Sequence, residues 1–243
     1  MKGKKVCVLL SCVILCVVVF TYSYRGAAGY VEKMSSVRTV VLDAGHGGID
    51  GGAESSSGTC EKDINLAIAV FLKELLEAED IKIVMTREED VGLYDESQEG
   101  AIRTLKTQDM KERKRIIDEA AADLTVSIHL NSYTQDSSVK GAQVFYPSEG
   151  DESIVEESKK AAQVIQSYLN SDINTDKKRD EMGKCDVYLL RNVTAPIVIV
   201  ECGFLSNPED AENLEDEKYQ KRIAETLKAS ICNYLDEAGD RGK

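Results

Sequence analysis

Short apolar runs alternate along this chain with longer stretches in which apolar residues return every three or four positions. The short runs are "RTVVLDA", "IKIVMTR", "LTVSIHL", "AQVFYP", "DVYLLRN" and "APIVIVECGF", and each predicts a strand. Those near residues 40, 125 and 198 are almost continuously apolar, as expected of strands covered on both faces. Between them, "EKDINLAIAVFLKELLEAE" sets Ile64, Ala67, Ile68, Phe71, Leu72 and Leu75 on one helical stripe. Similar patterns predict helices over 108–121, 153–169 and 217–236. Pro196 opens the last strand, where a missing amide donor is tolerated best. The alternation predicts an α/β fold: a single domain with a mostly parallel, roughly six-stranded sheet flanked by helices. Residues 88–108 carry little periodicity and read as an excursion on the surface or beside the site.

The N-terminal segment departs from this pattern. Lys2, Lys4 and Lys5 precede an apolar run from Val6 to Phe20, so residues 1–25 read as a signal peptide or membrane anchor and 26–37 as a linker. Basic residues ahead of the run place the N-terminus in the cytoplasm and the rest of the chain outside, either secreted or anchored. With 243 residues, 42% of them hydrophobic, the chain can bury one substantial core, assigned to 38–236 with a C-terminal tail over 237–243. The net charge is −13, and the N-terminal segment contributes only basic residues, so the exported part is more acidic still. Such a surface repels nucleic acid and anionic lipid heads, and no nucleic-acid partner is expected. Outside the apolar run stand Cys60, Cys185, Cys202 and Cys232, with no C-x-x-C pair; Cys202 and Cys232 read as small buried thiols.

Candidate chemistry gathers at strand ends. The two histidines of the chain are His46, just after "VVLDAG", and His129, at the end of "LTVSIH"; Glu201 ends "APIVIVE". In open α/β sheets ligands bind beyond the carboxyl ends of the strands. Each residue alone has a plainer explanation, since buried histidines commonly serve structure by satisfying polar neighbours. Glu201 is harder to explain that way, because a carboxylate after Ile197, Val198, Ile199 and Val200 is costly to bury without a cation or donor. Glu61, at the start of the helix after the glycine-rich loop, suits the positive end of the helix dipole, yet it also stands where the loop returns towards His46. Glycines 45, 47, 48, 51 and 52 permit that path. A phosphate cradle is the competing reading of these glycines, although the run lacks the G-K-[ST] ending of a P-loop. Two histidines and one carboxylate form a common catalytic zinc set with an open fourth position. His46, Glu61 and His129 are therefore the expected metal ligands and Glu201 the expected acid/base, with one zinc ion lowering the pKa of water and polarising a carbonyl. Asp43 is a candidate to orient His46 or to satisfy loop amides. Arg87, Arg113, Asn131 and Arg191 read as solvated or helix-surface residues. Cys202, alternating with Glu201, is expected on the opposite face of its strand.

The motifs "LDAGHGGIDGGA", "EKDINLAIA", "SIHLNS" and "VECGFLSNPED", in this order, resemble those of the zinc-dependent N-acetylmuramoyl-L-alanine amidases of bacterial cell-wall turnover. The resemblance spans roughly residues 38–236. It implies a six-stranded α/β fold and cleavage of the amide between the lactyl group of N-acetylmuramic acid and L-alanine of the stem peptide in peptidoglycan. It also matches His46, Glu61 and His129 to the zinc ligands and Glu201 to the catalytic glutamate. Ala44 departs from the proline of many relatives, a change expected to alter loop stiffness rather than ligation. Length, the export segment and "GAIRTLKTQDMKERKRIIDEAAADL" most resemble the germination-specific, spore-cortex branch. That branch implies muramic-δ-lactam formation together with a separate peptidoglycan deacetylase, in the space between the two forespore membranes. Some relatives gate the site with an extra helix or an activating partner protein, and residues 88–108 are where such control is expected. The alternatives are a non-catalytic peptidoglycan-binding protein of the same fold and a zinc peptidase acting on the stem peptide.

Overall fold

The computed structural model describes residues 37–95 and 101–241. The expected signal or anchor over 1–25 lies outside the described residues, and no helix among the described ones is long and apolar enough to cross a membrane. Six strands form one sheet: β1 (Thr39–Ala44), β2 (Lys82–Met85), β3 (Leu124–Asn131), β4 (Gln143–Pro147), β5 (Met182–Lys184) and β6 (Ile197–Phe204). Their spatial order is β2-β1-β3-β6-β4-β5, and every neighbouring pair is parallel except β4 with β6. The helices are α1 (Glu61–Glu77), α2 (Ile102–Ala120), α3 (Glu152–Asp172), α4 (Tyr188–Asn192), α5 (Pro208–Glu215) and α6 (Glu217–Arg241).

The period-two alternation of each central strand divides its side chains between two apolar layers. Val40, Leu42, Val126, Ile128, Val198 and Val200 meet Ile68 and Leu72 of α1, Ile165 of α3 and Leu227 of α6. On the other face Val41, Ile197 and Ile199 meet Ile117 of α2 and Leu189 and Leu190 of α4. Covered on both sides, β1, β3 and β6 are mostly apolar, with Asp43, Thr125 and Ser127 as buried polar members. Their register sets Ala44 beside Ile128 and His129 beside Glu201, so the carboxyl ends of the three strands finish together.

Five of the six expected strands are present. The exception is "DVYLLRN", which forms the short helix α4 and buries Leu189 and Leu190. Two adjacent apolar residues in so brief a run carry no period, and either conformation can bury them. The sixth strand is instead Met182–Lys184, whose three residues hold no apolar alternation. Helix α2 starts at Ile102, so the end of the supposed excursion is helical, and α6 continues to Arg241 through residues set apart as a tail. Helix α5 was not expected, although "SNPED" carries its start signal: Asn207 Oδ1 accepts from the amides of Glu209 and Asp210, and Pro208 occupies the first turn. Replacing Asn207 with Ala should lower stability by about 1 kcal/mol. Calorimetry should show a fall in Tm of about 2–4 °C for a domain of this size.

Candidate functional site

Beyond β1 the backbone turns sharply, and His46 adopts a left-handed conformation with φ 62°. A histidine in this region is uncommon and must be held there by its surroundings. Two buried arginines supply the hold. Arg113 of α2 donates to the carbonyls of Ala44 and His46, while Arg87 donates to those of Ala44, Gly45 and Lys62. Arg113 is fully buried and pairs with Asp43 at 2.6 Å and Asp109 at 2.6 Å. Burial opposes its charge, but these two carboxylates hold it firmly protonated. The expectation that Arg87 and Arg113 lie on the surface is therefore corrected: loop carbonyls facing away from water need buried donors. Asn131 and Arg191 remain partly or fully exposed, as expected.

The turn brings His46 back against α1. Its Nε2 lies 3.2 Å from Glu61 Oε1, and His129 Nδ1 lies 3.1 Å from the same oxygen. The two imidazoles meet edge to face with centroids 5.0 Å apart. Glu61 is buried and fixed through both oxygens: Oε2 accepts from the Ala53 amide, and Oε1 accepts from the Leu130 amide and Asn65 Nδ2. Burial alone would raise its pKa, but the bonds and charges of His129 and His46 bring it well below the usual carboxylate range. For His46 the effect of burial is outweighed by Glu61 and Asp50, which raise its pKa to about 8. Gly45 permits the close approach of β3, since a Cβ there would stand 2.3 Å from the His129 ring. Gly52, at φ +70°, likewise leaves room for Glu61 and His46.

One donor atom from each of His46, Glu61 and His129 falls within 4.8 Å of the others. Donors around a tetrahedral zinc with bonds near 2.05 Å stand about 3.3 Å apart, so modest side-chain motion suffices for these groups to share an ion. The two imidazoles and one carboxylate fit zinc better than calcium, which favours more oxygens. The phosphate-cradle reading fails on the loop amides: those of Gly45, Gly47, Gly48, Ile49 and Ala53 already donate to protein acceptors.

Glu201 stands beside His129 across the β3–β6 pairing. Its Oε2 is shut away from solvent without a hydrogen-bond partner, and burial raises its pKa, with the charge of Glu61 adding to the rise and those of His129, Lys184 and His46 opposing it. A carboxylate so placed can take up a proton and return it. Cys202 packs in the opposite layer with Val198 and Val200, and burial pushes its thiol pKa far up, which excludes a thiolate nucleophile there. Asp43 does not reach His46 but bonds Thr86, Ser127 and Arg113. The carboxylate that reaches the other ring nitrogen of His46 is Asp50, 2.9 Å from Nδ1, a contact the sequence did not suggest. Residues 88–95 also close on the loop, as Asp90 accepts from the Gly48 amide and Lys62, and Tyr94 Oη accepts from the Ile49 amide.

Residues 40–233 match the N-acetylmuramoyl-L-alanine amidase family. The chain is 36% identical over 206 residues to the germination-specific N-acetylmuramoyl-L-alanine amidase of Bacillus subtilis, an alignment covering 84% of this chain and 83% of that one. It is 40% identical to the CwlD amidase of Clostridioides difficile, solved in complex with the GerS lipoprotein, with a TM-score of 0.77 over 82% of this chain and 98% of that one. A second amidase structure from Clostridium difficile 630 is 32% identical, with a TM-score of 0.69 over 82% and 97% of the two chains.

The Asp43 environment makes a prediction about acid. Burial would raise its pKa, but Arg113, Ser127, His129 and Thr86 together lower it from 3.8 to about 2. The folded state thus gives up a proton that the unfolded state still holds between these values. This contribution is complete above about pH 4 and is lost as pH falls towards 2. Urea titrations across that window should show a steep loss of stability in the wild type and a shallower slope in Asp43→Asn.

Proposed function

Since the chain belongs to the N-acetylmuramoyl-L-alanine amidase family, and is an amidase acting on peptidoglycan, we propose how its own residues carry out the reaction. Zinc is held by His46, Glu61 and His129, and Glu201 is the acid and base. The scissile bond joins the lactyl group of N-acetylmuramic acid to L-alanine of the stem peptide. The observation that carries this reading is the convergence of two histidines on one Glu61 oxygen, with the unpartnered Glu201 carboxylate on the adjoining strand.

Zinc at this position would polarise the lactyl carbonyl and make water more acidic. Glu201 takes the proton of the attacking water as the water oxygen bonds to the carbonyl carbon. It then delivers that proton to the L-alanine nitrogen as the carbon–nitrogen bond breaks, so the products are a free lactyl carboxylate and an intact stem peptide. Glu61 cannot share this task, because both of its oxygens are held by backbone amides and histidines. The buried arginines fix the backbone under His46 and thereby keep the ligands in place before substrate arrives.

The likeness to a germination-specific amidase supports a finer reading. The enzyme acts outside the cytoplasm, between the two forespore membranes, and frees muramic acid residues that a separate deacetylase then prepares for muramic-δ-lactam formation. The CwlD amidase of C. difficile is in complex with a lipoprotein, and by that likeness a partner protein binds this chain as well. Residues 1–25 act as the export signal or anchor. A deletion strain should form spores whose cortex lacks the lactam, and a normal lactam content by muropeptide analysis would defeat the cortex role.

For the chemistry, the full chain should bind one zinc ion and release stem peptides beginning with L-alanine, identified by mass spectrometry. Chelation should abolish turnover and added zinc restore it. Glu201→Ala should keep the zinc and lose about 10²–10⁴-fold in kcat. Binding of wall fragments without new amino groups would identify a non-catalytic binding protein, and cleavage inside the stem peptide a peptidase.

A further inference from the structure

We infer that Asp50 and Lys106 are positioning residues that hold His46 in its ligating orientation and connect it to helix α2. The inference rests on the proposal that His46 ligates a metal. His46 is held on both ring nitrogens: Nε2 faces Glu61 Oε1 at 3.2 Å, and Nδ1 faces Asp50 Oδ2 at 2.9 Å. With Nε2 turned to the other donors, Nδ1 carries the proton and donates it to Asp50. That contact fixes both the tautomer and the plane of the ring, as carboxylates behind ligating histidines do.

The loop is folded to deliver this carboxylate. Gly47 and Asp50 exchange backbone hydrogen bonds, with the Gly47 amide 2.9 Å from the Asp50 carbonyl and the Asp50 amide 3.1 Å from the Gly47 carbonyl. The chain thereby doubles back, and the Asp50 side chain returns to the ring four residues earlier. Its other oxygen, Oδ1, takes the ammonium of Lys106 at 2.7 Å and lies 3.4 Å from the Gly52 amide. Each oxygen thus has its own partner, and the carboxylate cannot rotate away from Nδ1 without losing the lysine.

Lys106 lies in the first half of α2, the helix that also carries Arg113. Its side chain is 48% exposed, so the ion pair adds little to folding stability. What it can do is aim Asp50. Arg113 holds the backbone carbonyl of His46 and Lys106, through Asp50, holds the ring, so one helix controls both ends of this ligand. A displacement of the α2 start would therefore loosen His46 without touching Glu61 or His129.

The test is zinc affinity of the full chain, measured by competition with a chromophoric chelator, together with the visible spectrum of the cobalt-substituted protein. Asp50→Ala should weaken zinc binding about 10–100-fold and alter the cobalt spectrum. Asp50→Asn, which keeps the shape and loses the charge, serves as the second variant if the alanine variant melts early. Lys106→Met should weaken binding about two- to fivefold at low salt, with wild-type melting, and Lys106→Arg should restore it. In about 1 M salt the Lys106→Met difference should vanish, because the exposed pair is screened. The Asp50→Ala/Lys106→Met double variant should bind no more weakly than Asp50→Ala, since the lysine acts only through the aspartate. Wild-type affinity and spectrum in both Asp50 variants, or full additivity in the double variant, would overturn the inference. Zinc binding that His46→Ala abolishes but the Asp50 variants leave intact overturns this inference alone. A wild type that binds no zinc overturns it together with the metal reading.

Discussion

Arg113 brings a full charge into a place shut from bulk solvent, and the carboxyl end of the sheet is arranged around that charge. Its guanidinium joins Asp43 of β1, Asp109 of its own helix, and the carbonyls of Ala44 and His46. Asp43 in turn gathers Thr86, just after β2, and Ser127 of β3. A buried ion pair of this kind gives little net stability compared with well-packed apolar side chains, because desolvation offsets most of the attraction. Its effect is geometric. Through the Arg113–Asp43 pair, β1, β3, the residue after β2 and helix α2 are tied together, and the loop leaving β1 is held on the path that presents His46.

The same constraint explains what could be read from the sequence. Strands covered on both faces are mostly apolar, so β1, β3 and β6 stand out, and polar residues at their ends become conspicuous by contrast. His46, His129 and Glu201 were legible for this reason, and Glu61 because the glycine loop returns to it. Arg113 was not, since it sits within "KERKR", where Lys111 and Arg115 are exposed and the whole run resembles a solvated helix face. The signal that would have separated it is its place four residues before Ile117 and three after Met110, on the buried stripe of α2. Asp50 was missed for a different reason: its contact with His46 depends on a two-glycine turn, and no periodicity describes such a turn.

The fold was legible wherever burial imposed a period and illegible wherever it did not. Strand β5 is the edge of the sheet and helix α4 spans only five residues, so neither is long enough to carry a period. Leu189 and Leu190 bury equally well from a helical turn as from a strand, so tertiary packing decided between them. Residues 88–95 follow the same logic on a smaller scale. They are polar and aperiodic because their partners are backbone amides and Lys62 around the glycine loop rather than an apolar layer.

Glu61 shows how folding and site assembly become one event. Its oxygens are held by the Ala53 amide from the loop and by the Leu130 amide from β3, so the carboxylate is oriented only when α1, the loop and β3 have all docked. Asn65, one turn further along α1, adds a bond to Glu61 and another to the Gly45 carbonyl, which ties the helix to the turn before His46. An ion bound by these side chains would therefore be bound by three elements at once, and its affinity would include part of the free energy of docking them. Conversely, any partner or substitution that shifts α1, the loop or β3 by a fraction of an ångström acts on the site without touching a ligand.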